Sequence, residues 1–518
     1  MATYVKHPRI VPDTVEERDY QLRMAKGCSE CSTLLILPTG LGKTIVALYV
    51  AADILEKGKK VLILAPTKPL VDQHNSTFSS LLVNARVGTM NGNMLPKKRK
   101  NVMEMNDVIA ATPQAVANDL ENGIYDLKNI GLVIYDEAHR GTGEYAYVHV
   151  ARRYKEDNED GLSLGMTASP GCEVEKMDNI CLNLFLKRRD MRTEDDPDVS
   201  PYTYNVIINE IKLDMPQDLL DVISLLNKIW DSYIQELSLF GALSYSENIS
   251  VKRLLVVART LQVRHKAGER SSSLFGAMSA QSKAIKIGHA IGLAETQGMS
   301  ALRLYLEKLN EEAHQEKGSK GAKDIISKKE YKEILRILTS TNVEHPKISR
   351  VMSLVSKEVN YRPGSKIMVF SHYRNTCDLL TEKLATIDGV SVGKLIGQSS
   401  GGLRQKEQTE LLKAFREGAY NVIVATSVGE EGLDVASTDL VIFYENVPSE
   451  IRTIQRRGRT GRKSDGMIYI LTAKGTRDEA FEEVSRKKEA MMIKRLRKSN
   501  DKKEDTLKTH KGIFDFDR

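Results

Sequence analysis

The sequence predicts an α/β protein in which two parallel sheets flank a helical segment. Three observations predict it. Short apolar runs alternate with helix-like stretches over residues 33–169, and again over 365–473. Between them apolar residues recur only at three- and four-residue intervals. Strands covered on both faces read as short continuous apolar runs, and their alternation with helices implies parallel pairing.

The first set of strands is TLLIL (33–37), KKVLILAP, DVIAAT (107–112), GLVIYDEAH (131–139) and GLSLGMTAS (161–169). IVALYVAADILEKG and a stretch starting near Lys68 supply helices between them. From about 209 to 345 no comparable strand series occurs. DLLDVISLLNKIWDSYIQELSLF, RLLVVARTLQ and ALRLYLEKLNEEA carry the helical period instead. SKIMVFSHY, VSVGKLIG, NVIVATS, DLVIFYE and GMIYILTA form the second set. The expected organisation is an α/β domain over 1–205, a helical insertion over 206–345, a second α/β domain over 346–480, and a basic helix and tail over 481–518. No internal repeat of 20 to 50 residues occurs.

The 518 residues are 41% hydrophobic and 28% charged, enough for several cores without disulfides. A net charge of +7 excludes a general polycation, so any nucleic-acid surface must be local. Cys28 and Cys31 form a lone CxxC with no second ligand pair at zinc spacing. They read as small residues leading into a buried strand, in a reducing compartment. The first residues lack an apolar targeting core, and no apolar run approaches the roughly 18 residues of a membrane span. A cytosolic protein without membrane association is expected.

LPTGLGKT (37–44) places a glycine-rich turn between a strand and a helix, where backbone N–H groups and the helix N-terminus attract phosphate. Lys43 would reach the β and γ phosphates, and the Thr44 hydroxyl would hold magnesium. The general pattern starts with glycine where this chain has Leu37. DEAH (136–139) ends an apolar strand about ninety residues later. Asp136 is suited to magnesium, and Glu137 to orienting and deprotonating an attacking water. Gln21 in RDYQ could offer a donor and an acceptor to one base edge, or be an exposed helix residue. The hydroxyls of TAS (167–169) could link the nucleotide site to a second ligand, or simply end a strand. QRRGRTGR (455–462) concentrates four arginines in eight positions. If the second sheet faces the first, Arg459 and Arg462 can stabilise charge developing on a transferred phosphoryl group.

RDYQ, PTGLGKT, APTKPL, ATPQ, DEAH, TAS, ATSVGEEGLDV and QRRGRTGR, in this order over residues 18–462, resemble the motif series of superfamily-two helicases. Within that superfamily the chain is similar to the archaeal Hef family, related to Fanconi anaemia M-type translocases and more distantly to Dicer-like and RIG-I-like helicases. The resemblance implies two RecA-like motor domains with a thumb-like helical insertion, ATP and Mg²⁺ as cofactors, and forked or branched DNA as substrate in fork repair. It implies that Arg18, Gln21, Pro38, Thr39, Gly40, Leu41, Gly42, Lys43, Thr44, Gly432 and Asp434 surround the nucleotide, with Gln21 reading adenine. Gln455, Arg459 and Arg462 would line the cleft. Thr67, Lys68, Thr112, Pro113, Ser371, His372 and Thr426 would lie along the nucleic-acid strand. The same motifs serve double-stranded-RNA ATPases, which are the alternative; a non-catalytic scaffold sits poorly with intact Lys43, Glu137, Arg459 and Arg462. Many family members continue into a nuclease with an ERKxxxD site; this sequence has no ERK triplet, and no cleavage by that route is expected. Residues 510–517 (HKGIFDFD) resemble a degenerate sliding-clamp-binding peptide.

Overall fold

The structure is a computed structural model that describes residues 3–168, 174–203, 206–243, 249–315, 318–397, 403–426, 438–445 and 466–484, together with 486, 487, 490 and 491. The first unit runs α1 (Asp19–Glu30), β1 (Thr33–Ile36), α2 (Lys43–Glu56), β2 (Lys60–Leu64) and α3 (Lys68–Leu81). It continues with β3 (Val87–Met90), α4 (Pro96–Met105), β4 (Val108–Ala111), α5 (Pro113–Glu121), β5 (Ile130–Tyr135) and α6 (Ala146–Asp157). It ends with β6 (Leu162–Thr167), α7 (Val174–Asn183) and β7 (Arg188–Met191). Its strands form one parallel sheet in the order β3-β4-β2-β5-β6-β1-β7. Successive residues of β1 alternate between two cores: Leu35 and Leu37 pack under α2, Leu34 and Ile36 on the other face. Both faces being apolar is why the strand has no polar alternation to read.

β8 (Val206–Leu213) then pairs along its whole length with a strand of the second sheet. The segment expected to be helical from residue 206 therefore opens with an edge strand that is half-buried or exposed over 207–213, with Ile207 and Ile208 exposed. The helical bundle follows: α8 (Gln217–Leu239), α9 (Val251–Lys266), α10 (Ser272–Thr296), α11 (Met299–His314), α12 (Lys320–Ser327) and α13 (Lys329–Ser340). α10 is its axis. Ala277, Ala280, Ala284, Ile287, Ala290, Ile291 and Ala294 are buried around it. A helix buried on most sides shows no single apolar stripe. A Cβ at Gly288 would sit 2.3 Å from the Trp230 ring, so glycine is what lets α8 and α10 close.

α14 (Pro346–Tyr361), β9 (Ile367–Phe370), α15 (Arg374–Leu384), β10 (Val392–Leu395), α16 (Gln405–Glu417), β11 (Val422–Ala425), β12 (Leu440–Phe443) and β13 (Gly466–Ala473) complete the second unit. Its parallel sheet has the order β10-β11-β9-β12-β13-β8. No described helix is long and apolar enough to cross a membrane. The described cysteines, Cys28, Cys31, Cys181 and Cys377, are free thiols; burial pushes the Cys28 thiol up to about 12.

The bundle is tied to the second unit by buried and half-buried polar contacts. Thr376 Oγ1 donates to Gln297 Oε1 at 2.6 Å, and Arg477 reaches Gly288 O at 2.9 Å and Glu295 at 3.1 Å. Lys347 and Asp478 form a fully buried ion pair beneath the Tyr444 ring. Beside it, His345 caps α14. Its Nδ1 accepts from Lys347 N, so Nε2–H donates to Glu295 O at 3.1 Å. Both nitrogens are thus committed to the neutral ring.

Burial, reinforced by the Lys347 charge, depresses the His345 pKa to about 3. The unfolded chain takes up this proton near 6.5 and the folded one does not. Stability is therefore lost as pH falls from about 6.5 towards about 3, amounting to roughly 2 kcal/mol at pH 5. Urea unfolding of His345→Asn, which keeps a capping side chain, should show a flatter pH dependence than the wild type across this window.

Candidate nucleotide and nucleic-acid site

In an open parallel sheet, ligands gather where strands end at their carboxyl edge. Three adjacent strands deliver three motifs there: β1 leads into residues 37–44, β6 ends at Thr167, and β5 ends before Asp136. Backbone bonds fix the spacing, with Leu37 N on Thr167 O at 3.1 Å and Asp136 N on Leu64 O at 2.9 Å.

The loop after β1 turns on two glycines with positive φ, Gly40 at 96° and Gly42 at 81°. Gly42 caps α2 in the left-handed region, so the loop N–H groups and the helix N-terminus converge. Lys43 Nζ donates to Leu37 O at 2.9 Å, spanning the loop. This explains Leu37 in place of the usual glycine: its side chain is buried in the core, and the loop uses only its carbonyl. Tyr20 OH and Gln21 Nε2 donate to Leu41 O at 2.8 and 3.1 Å, bracing the loop from α1.

Asp136 is held by three elements. His74 Nε2 lies 2.8 Å from its Oδ2, Glu137 N donates to its Oδ1 at 3.0 Å, and the Tyr147 hydroxyl of α6 donates to its backbone oxygen. Burial pushes this carboxyl up, but His74, the Lys43 charge and the Glu137 N–H outweigh burial and hold it below the ordinary carboxylate range. Glu137 sits in the left-handed region at φ 50°, ψ 50°, uncommon for a residue with a side chain. Its Oε2 is enclosed and lacks a hydrogen-bond partner among the described residues. His139 Nδ1 is 3.3 Å from it but bonds Thr167 Oγ1 at 3.2 Å. An ionised carboxylate, a threonine hydroxyl and a phosphate-attracting loop are the hard-oxygen environment that suits magnesium delivered with a nucleotide. The unpartnered Glu137 oxygen suits a water bound for the γ-phosphate.

Three family models match the chain: "DEAD/DEAH box helicase" over 18–177, "Putative ATP-dependent RNA helicase, helical bundle" over 218–345, and "Helicase conserved C-terminal domain" over 346–464. The chain is 40% identical to the crystal structure of the Pyrococcus furiosus Hef helicase domain, covering 90% of this chain and 98% of that one, with a TM-score of 0.70. The chain belongs to the Hef helicase family. It is also 36% identical to "Putative ATP-dependent RNA helicase MJ1505" of Methanocaldococcus jannaschii, over 96% of this chain and 62% of that protein. With "ATP-dependent DNA helicase mph1" of Aspergillus niger it shares 30% identity, over 90% of this chain and 44% of that protein. The chain thus spans about half to two thirds of the length of these curated relatives.

In this Hef-family chain, the residues assigned to the nucleotide divide into three groups. Pro38, Thr39, Gly40, Leu41, Gly42, Lys43 and Thr44 form the loop and helix start, beside Asp136 and Glu137. Gln21 is 2% exposed and its amide faces Leu41, while Arg18 pairs with Glu16 and lies over the Tyr202 ring. Gly432, Asp434, Gln455, Arg459 and Arg462 lie outside the described residues, as do Ser169 and residues 510–517.

Of the candidate strand-contacting residues, Lys68 and His372 are exposed, Thr67 and Thr112 half-buried, and Pro113, Ser371 and Thr426 buried. Ser371 Oγ donates to Glu445, which also accepts from His372 N. Sequence reasoning missed Glu445, His74 and Tyr147. Each acts by reaching another strand end, which no local spacing reveals. The one signal was a histidine on the otherwise apolar face of α3, beside Val71 and Phe78.

Gly42→Ala should weaken binding of a fluorescent nucleotide at least tenfold, an estimate from about 1–2 kcal/mol of left-handed strain plus a Cβ placed 2.4 Å from Gln21 Nε2. Fluorescence titration checks this, with the melting temperature measured alongside.

Proposed function

We propose that the chain is an ATP-driven motor acting on forked or branched DNA, with Mg²⁺ held by Thr44 and Asp136. The observation that carries this reading is the convergence, at three adjacent strand ends, of the glycine loop, the Asp136 carboxylate held by His74, and the Glu137 oxygen that lacks a hydrogen bond among the described residues. Lys43 binds the terminal phosphates, and Glu137 orients and deprotonates water. Magnesium, when bound, neutralises phosphate charge. The division into four domains is kept as part of this proposal, with the bundle starting after β8.

DNA as the substrate is supported by similarity to the Hef helicase domain and to a fungal protein named as a DNA helicase, and its forked or branched form rests on the sequence resemblance. The bundle offers a matching surface. α9 contains no acidic residue and exposes Lys252, Arg253, Arg259 and Lys266. Such a face makes sequence-independent, salt-sensitive phosphate contacts. The M. jannaschii relative, named as an RNA helicase, favours double-stranded RNA as the second reading. A role in fork repair and binding of a sliding clamp through residues 510–517 remain proposals from sequence resemblance.

ATP hydrolysis should rise most with a synthetic fork, compared with single-stranded DNA, double-stranded RNA and no nucleic acid. Glu137→Gln should lower the rate by at least about 100-fold, the scale of a lost general base. Best stimulation by RNA moves the protein to the second reading, and no stimulation by any of them removes the motor assignment.

A further inference from the structure

The geometry points to His74 as a positioning residue that couples a nucleic-acid strand at the start of α3 to the magnesium-binding carboxylate of Asp136, an inference that rests on the motor reading above. His74 belongs to no motif that the sequence assigns to ATP. It is 4% exposed, on the face of α3 that also buries Val71 and Phe78, with the Phe78 ring edge-on at 6.4 Å. Its Nε2 is 2.8 Å from Asp136 Oδ2. At this distance the imidazole N–H is placed to donate to the carboxylate oxygen. Its Nδ1 is enclosed and has no hydrogen-bond partner among the described residues. One ring nitrogen thus holds one carboxylate oxygen while the other has no partner, so among the described residues the contact with Asp136 is the ring's one hydrogen bond.

The carboxylate has about four lone-pair directions. His74 takes one on Oδ2 and the Glu137 N–H one on Oδ1, so the remaining directions are fixed in space. A ligand oxygen locked in this way binds metal better than one free to rotate.

The second half of the argument is the path. β2 lies next to β5 in the sheet, and Leu64 O receives Asp136 N. α3 starts four residues after β2, with Thr67 as its N-cap and Lys68 exposed at its first position. His74 follows six residues later, roughly 9 Å along the axis at 1.5 Å per residue. A helix is stiff over that length. A phosphate gripping Lys68 therefore tilts or steadies the rod whose other contact is the Asp136 carboxylate. Val71 is fully buried between these points and serves as the pivot.

The test uses the full chain, with His74→Phe removing the donor while keeping a ring, and His74→Gln restoring a donor. Binding of a fluorescent ADP analogue is titrated with and without Mg²⁺, and ATP hydrolysis is measured with and without a DNA fork. In His74→Phe, metal-free nucleotide affinity should stay within about twofold, while the Mg²⁺ concentration for half-maximal tightening rises about tenfold or more, as when a metal ligand's partner is lost. Fork stimulation should drop in parallel while the affinity for the fork itself is retained, and His74→Gln should recover most of both. An unchanged Mg²⁺ midpoint and unchanged stimulation, with only a lower melting temperature, overturn the inference and leave His74 a packing residue. A wild type that no nucleic acid stimulates overturns the motor reading and the coupling with it. A stimulated wild type matched by an equally stimulated His74→Phe overturns the coupling alone. Should the Phe variant not fold, His74→Ala is read against the same outcomes.

Discussion

The chemistry of the candidate site is constrained by one fact about the first sheet: its central strands are buried on both faces. Leu34 to Leu37, Val61 to Leu64 and Leu132 to Tyr135 expose essentially nothing, so no side chain along these strands can meet a ligand. Catalytic groups can emerge only at strand ends, and a parallel sheet puts all the carboxyl ends on one edge. The order β5-β6-β1 then decides which motifs meet. Residues separated by about a hundred positions, such as Lys43 and Asp136, come close enough for the Lys43 charge to act on the carboxylate. Strand register is therefore catalytic geometry. A one-residue slip of β5 would exchange its two apolar faces and carry Asp136 away from Lys43.

The same sheet separates two groups of candidate residues along its edge. β1, β6 and β5 end at the candidate nucleotide site, whereas β2 and β4 lead to Thr67–Lys68 and Thr112–Pro113, the candidate strand-contacting residues. His74 and Asp136 make contact where the two groups adjoin. Tyr147 secures the same place from the opposite helix layer, through Asp136 O and Leu64 O. The strand end bearing Asp136 is thereby pinned from both faces of the sheet.

Central strands were legible because burial on both faces leaves an unbroken apolar run, as in VLIL or LVIF. Edge strands were not. β3 (VGTM) and β7 (RRDM) each pair with only one neighbour and need no apolar run, so they read as connections. α10 escaped for the opposite reason: alanines and isoleucines surround it, and periodicity vanishes when most faces are core. β8 reads as part of the helical segment because its partner, β13, lies some 260 positions later and nothing local announces the pairing. The site followed the same rule. Lys43, Thr44, Asp136 and Glu137 are legible because backbone-bound chemistry forces fixed spacings, while His74, Tyr147 and Glu445 act through tertiary contacts.

The placement of β8 changes how the bundle belongs to the rest. Its incoming chain arrives from β8 and its outgoing chain enters α14, and both are parts of the second unit. The bundle is thus an insertion into that unit rather than a bridge between two equal partners. The contacts agree: Arg477, Thr376 and His345 all reach the carboxyl end of α10 or the turn after it, around Gly288, Glu295 and Gln297. The Thr376–Gln297 and His345–Glu295 bonds are buried, and breaking them without replacement would strand polar groups away from water. Any displacement of the second sheet therefore carries α10 along and, through its packing on α8 and α9, the basic face of α9. A motor built this way does not need a separate signal to move its helical insertion, because the hydrogen bonds at the end of α10 already make the two one mechanical piece.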